Sequence, residues 1–114
     1  MTRPGDFEID QYASFQTSIT WREDDGSVID LTGYSAKMDI REGYGGELIL
    51  SLTSDDDSID IIEEEGKLTF YFTPEQTADF DFVRAYYDVV VTSPTGFATR
   101  IIEGVFELNK GITQ

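Results

Sequence analysis

The side chains that most often carry out chemistry in proteins are missing from this chain. It has no histidine and no cysteine, which removes the commonest general base, the Ser-His and Cys-His nucleophile pairs, thiolate metal sites and most zinc geometries. Disulfides go with the cysteines, while the redox compartment is left open. Carboxylates remain, because 23 Asp and Glu stand against 8 Lys and Arg. A glycosidase-type pair needs two carboxyl groups about 5–10 Å apart across a cleft, one with a raised pKa. Nothing in the sequence marks such a pair, and the chain reads as non-enzymatic and without a cofactor.

One acidic run invites a metal. Asp55-Asp56-Asp57, with Ser58 and Asp60 beside them, offers the hard oxygen ligands that Ca²⁺ takes at about 2.3–2.6 Å. The run lacks the glycine and the distal glutamate of an EF-hand loop, so a solvated acidic loop is the favoured reading and Ca²⁺ at Asp55, Asp56 and Asp57 the alternative. Glu63-Glu64-Glu65 before Gly66 reads as a turn whose carboxylates repel and face water.

Aromatic side chains are the other candidates. Trp21 is in register with Phe15 and Ile19, which favours a core role over a sugar-stacking platform. Tyr44 stands among glycines in Gly43-Tyr44-Gly45-Gly46, a loop that cannot easily bury it. Phe80, Phe82, Tyr86 and Phe97 flank turns or fall on the second face of a strand. Exposed, they would be interface anchors or a carbohydrate platform; turned inward, they would close the open ends of the fold. Asp88 interrupts an apolar strand and is expected outward or at an edge, paired with Arg84, Arg100 or Lys37, because a charge is rarely buried alone.

The elements that position these residues follow from period-two alternation. Phe15, Thr17, Ile19 and Trp21 alternate with polar residues, as do Tyr34 to Ile40, Leu48 to Leu52, and Leu68 to Phe72. Val28 to Leu31 reads as a short extended piece that ends at Thr32-Gly33, and Ile59 and Ile61 form a short strand. Tyr87, Val89 and Val91 alternate within 84–92, a strand apolar enough on both faces to be central. Ser93-Pro94-Thr95-Gly96 is a hairpin turn leading to a strand over 97–109, which Gly104 is expected to bulge or break. Thr73 caps a helical turn near 74–79, with Pro74 at its first position and Gln76 where a capping box wants Glu or Gln. These signals predict an all-β antiparallel sandwich of about seven to nine strands. Residues 1–8 read as an extended arm, 9–110 as the sandwich and 111–114 as a tail.

A chain of 114 residues fits one domain and buries roughly two thirds of its unfolded surface without metal or disulfide. The net charge of −15, spread along the chain, repels phosphate backbones and anionic membranes, so neither nucleic acid nor membrane is an expected partner. It suits a module that docks onto basic neighbours. No stretch approaches the roughly 20 apolar residues that span a bilayer, and MTRPGDFEID lacks the apolar segment of a signal peptide.

Three segments carry a resemblance: ITWREDDGSVIDLTGYSAKMDIRE (19–42), KLTFYFTPEQT (67–77) and AYYDVVVTSPTGFATRIIEGVFEL (85–108). Their order, with Asp30-Leu31-Thr32-Gly33-Tyr34 before a strand and Lys67-Leu68-Thr69 before the capped turn, resembles small immunoglobulin-like β-sandwich domains of tailed-bacteriophage virions. The N-terminal domain of siphophage upper baseplate proteins is the nearest. The resemblance implies a non-enzymatic virion protein, assembled in the host cytoplasm, that attaches tail, baseplate or fibre parts in many symmetric copies. Baseplate proteins continue into further domains, whereas this chain ends after one sandwich, so a capsid decoration protein of the phage head is the alternative. A carbohydrate-binding module recognising a host surface glycan is the rival from another class. The interface candidates are Arg3, Pro4 and Phe7 in the arm, then Tyr44, Phe80, Phe82, Tyr86 and Phe97.

Overall fold

Alternating sequence becomes eight strands in the computed structural model, which describes residues 6–42 and 46–109. They are β1 (Phe7–Asp10), β2 (Phe15–Thr20), β3 (Ser35–Arg41), β4 (Leu48–Thr53), β5 (Ile59–Ile62), β6 (Lys67–Phe72), β7 (Arg84–Thr92) and β8 (Ala98–Asn109). A 3-10 turn spans Glu63–Glu65, and the helix α1 spans Pro74–Ala78. Among the described residues no helix is long and apolar enough to cross a membrane.

The strands form two sheets, ordered β1-β8-β7-β3-β4 and β2-β6-β5. The strands β8, β7, β3 and β4 stand where G, F, C and C′ do in immunoglobulin domains, and β2, β6 and β5 where B, E and D do. The fold is therefore the expected immunoglobulin-like sandwich. No cysteine joins the sheets, so apolar burial holds them. Ala36, Met38 and Ile40 of β3 and Tyr87, Val89 and Val91 of β7 meet Leu68, Phe70 and Phe72 of β6 in one buried cluster. Each large side chain so buried contributes about 1.5–3 kcal/mol.

Three expectations are corrected. The arm assigned to 1–8 ends earlier, because Phe7 and Glu8 already belong to β1, paired in parallel with β8 in the register Phe7↔Phe106 and Ile9↔Leu108. Four residues make too short a run to read as a strand, and the pairing is the one exception to antiparallel order among the described strands. Residues 1–5, with Arg3 and Pro4, and 110–114 lie outside the described residues. Second, Gly104 does not break β8; the register shift falls between Val89 and Val90, where Ile101 is the extra residue. Third, the extended piece at 28–31 forms no strand, only an isolated bridge between Arg22 and Val28.

The capped turn forms as its chemistry requires. Thr73 Oγ1 accepts from Gln76 N–H at 3.1 Å, and Gln76 Oε1 accepts from Thr73 N–H at 2.9 Å. Thr77 is fully buried, and its hydroxyl donates to Ala13 C=O at 2.8 Å, tying α1 to the β1–β2 turn.

Candidate functional site

The outer face of the five-stranded sheet collects charge in rows. Pairing across β3, β7 and β8 aligns Lys37, Val90 and Arg100 in one row. The next row is Asp39, Asp88 and Glu103, and the one after it Arg41, Tyr86 and Val105. At the far end, Arg84 faces Glu107, which in turn faces Glu8 of β1. The inward positions of β3 and β7 are filled by the core, so alternation leaves these side chains no other place.

Three carboxylates directly opposite one another repel, and the neighbouring rows offset that. Asp39 accepts from Ser51 Oγ at 2.6 Å, with Lys37 Nζ and Arg41 Nη2 each at 3.9 Å from its oxygens. Asp88 accepts from Arg100 Nε at 3.1 Å, which is the outward, paired position expected of it. Arg84 Nη2 lies 2.7 Å from Glu107 Oε2, and that hydrogen bond raises the guanidinium pKa further. Such exposed pairs add little stability; they set orientation and specificity when a partner arrives. Of the six described basic side chains, Lys37, Arg41, Arg84 and Arg100 are on this face, and only Arg22 and Lys67 lie elsewhere. The remaining described surface is correspondingly acidic.

The aromatic candidates separate into two groups. Phe80 and Phe82 are buried, 4% and 6% exposed, with ring centroids 5.1 Å apart. They join the core, with Phe80 against Phe72, and are withdrawn as interface residues: the chain after Asp79 crosses from the sheet of β6 to the sheet of β7. Phe7 is also withdrawn, since its ring packs 6.0 Å from Phe15, 5.9 Å from Tyr87 and 5.7 Å from Phe106. Trp21 is partly buried against the core, edge-on to Tyr34 at 6.2 Å. Tyr86 lies half-buried in the middle of the outer face. Phe97, 73% exposed, sits at the β7–β8 hairpin. Phe97 faces Ser93 across the hairpin, seven positions along the chain from Tyr86 and so roughly 23 Å away at the rise of a strand, and the two rings do not form one platform. Tyr44 lies outside the described residues. Burial pushes the Tyr87 hydroxyl well above its ordinary pKa, helped by the charge of Asp6.

The acidic loop 54–58 turns one of its carboxylates, that of Asp56, on itself. Asp56 accepts from the side chain and the backbone N–H of Ser58, which lowers its pKa, and Asp57 takes a positive φ of 69° to close the turn. Among the described residues no three acids converge as a metal would need. Asp25 with Ser27, and Asp30 with Thr32, repeat the same turn and are held low by the same bonds.

The rows themselves escaped sequence reasoning. Lys37, Asp39 and Arg41 alternate visibly, as do Arg84, Tyr86 and Asp88, but their alignment depends on register between strands distant in sequence.

No family model and no curated protein matches this chain. Among solved structures it is similar to extracellular domains 3–5 of Drosophila OTK, with a TM-score of 0.39 and 14% identity over 96% of this chain. The chain spans about a third (34%) of that structure's length.

Proposed function

We propose that this protein is a non-enzymatic interaction module of a tailed-phage particle, and that it docks on neighbouring proteins through the outer face of its five-stranded sheet. The observation that carries the docking surface is the concentration of cations there, interleaved with Asp39, Asp88 and Glu103 and with the apolar Tyr86, Val90 and Val105. A face patterned in both signs discriminates between partners and fixes register, where a uniformly acidic one would only attract. Placement in the virion rests on the resemblance of segments 19–42, 67–77 and 85–108 to baseplate sandwich domains. It favours tail, baseplate or fibre attachment, with capsid decoration as the alternative.

The test is occupancy on purified tailed particles of the phage concerned, followed by quantitative mass spectrometry and particle imaging. The protein is expected in the particle band, on the tail, and a Lys37→Glu/Arg100→Glu variant is expected to be lost from it. Absence from the band overturns the virion reading, and a label on the head selects decoration. Full occupancy by the charge-reversed variant overturns the docking face. A glycan array tests the exposed Phe97 as a sugar platform; binding abolished by Phe97→Ala would replace the virion-attachment reading with carbohydrate recognition.

A further inference from the structure

We propose that β1 is exchanged between two copies of this chain, each inserting Phe7–Asp10 against the β8 edge of the other. The strand is built to detach. It is the outermost member of its sheet and, among the described strands, pairs with β8 alone. The strand that follows it, β2, belongs to the opposite sheet, and only Gln11–Ser14 lie between them.

The site it fills cannot stay empty. Ile9 is fully buried, and the Phe7 ring is surrounded by Phe15, Tyr87 and Phe106. Withdrawal of β1 would expose these rings and the backbone edge of Phe106 to Asn109. Refilling demands an extended segment with apolar residues at alternate positions and matching length. The same strand from a second copy meets that demand by construction, with the register Phe7↔Phe106 preserved.

The connection supplies the bias. Tyr12 holds φ at 69°, a left-handed conformation that bulky L-residues adopt at a cost. Straightening Gln11–Ser14 so that β1 reaches another molecule returns Tyr12 to extended geometry, and short strained hinges are what favour exchange. Little is given up. Gln11 donates to Ala78 C=O at 3.3 Å and Phe80 C=O at 3.1 Å, and its N–H to Asn109 C=O at 2.9 Å; all three bonds re-form on the second copy. Among the bonds of the described residues, straightening breaks Ala13 N–H to Asp10 C=O at 3.4 Å and draws Ala13 C=O away from the Thr77 hydroxyl, now at 2.8 Å, which keeps Pro74 C=O at 3.2 Å as an acceptor. The pairing of β1 with β8 and the packing of Phe7 are common to both forms, so the hinge and the concentration decide between closed monomer and exchanged dimer.

Glu8 and Glu107 are register partners on the outer face, which gives a direct test in the free protein, whether or not the docking face proposed above is right. A Glu8→Cys chain and a tagged Glu107→Cys chain are mixed at high concentration in mild urea, returned to buffer, oxidised and run on a non-reducing gel. The expected product is the covalent heterodimer, in clear excess over either homodimer and rising with concentration. Monomer alone, or homodimers as abundant as heterodimer, overturns the proposal. Adding Tyr12→Gly to both chains relieves the hinge and is expected to cut heterodimer yield severalfold; an unchanged yield overturns the assignment of the bias to Tyr12.

Discussion

Replacing Gly66 with alanine adds one methyl group to a turn that has no room for it. Gly66 follows the 3-10 turn with φ at 61°, and a Cβ there would stand 2.6 Å from the carbonyl oxygen of Ile29 and 3.0 Å from that of Trp21. Both oxygens are backbone atoms, and they cannot swing aside as a side chain would. The Trp21 oxygen accepts from Ile29 N–H at 3.0 Å, and Trp21 N–H donates to Gly66 C=O at 2.8 Å, so movement of one strand end disturbs the next. The left-handed backbone costs an alanine about 1–2 kcal/mol, and forcing a methyl into occupied space adds about 1–3 kcal/mol. The expected loss is therefore about 2–5 kcal/mol, or roughly 8–20 °C in melting temperature at about 4 °C per kcal/mol for a domain near this size. Gly96 is the control. Its φ is 93° and nothing lies within 4 Å of its Cβ direction, so Gly96→Ala meets only the backbone penalty of about 1–2 kcal/mol. Urea unfolding followed by Trp21 fluorescence and circular dichroism compares the two. Equal midpoint shifts would refute the close approach of the Trp21, Ile29 and Gly66 backbones.

Phe80→Ala should cost about 3–5 kcal/mol as a core truncation, whereas Phe97→Ala should stay within about 0.5 kcal/mol as a surface change; the same urea series measures both, and equal costs would contradict the burial of Phe80. Thr73→Ala removes the N-cap half of the capping box and should cost about 1 kcal/mol, seen as a lower unfolding midpoint at an unchanged slope. The carboxyls of Asp25, Asp30 and Asp56 are held below their ordinary value of 3.8 by Ser27, Thr32 and Ser58. A depressed folded-state pKa gives stability that is present above the unfolded value and lost as pH falls through the folded one. NMR titration should therefore place these three midpoints below 3.8, and Ser58→Ala should return Asp56 toward it.

What the sequence determined by itself was everything that neighbours along the chain decide. Side chains in a strand alternate with period two, so Phe15 to Trp21, Tyr34 to Ile40 and Leu68 to Phe72 declared their inward faces without any partner in view. The helix cap was equally local, because Thr73 and Gln76 bond across three residues. Phe80 and Phe82 lacked such a signal: they follow a helix of one turn, and whether they faced water or the core depended on where the sheets left their end open. The β1 strand was hidden for the same reason, since Phe7 gains its partner Phe106 from the other end of the chain. The charged rows show the difference most sharply. Alternation put Asp39 and Asp88 on outward faces, but Glu103 follows the extra residue Ile101 in β8, and a slip of one residue in any strand would have moved its charge to the opposite side. Only tertiary packing, which buries Met38, Val89 and Phe106 together, holds the registers that bring three carboxylates into line.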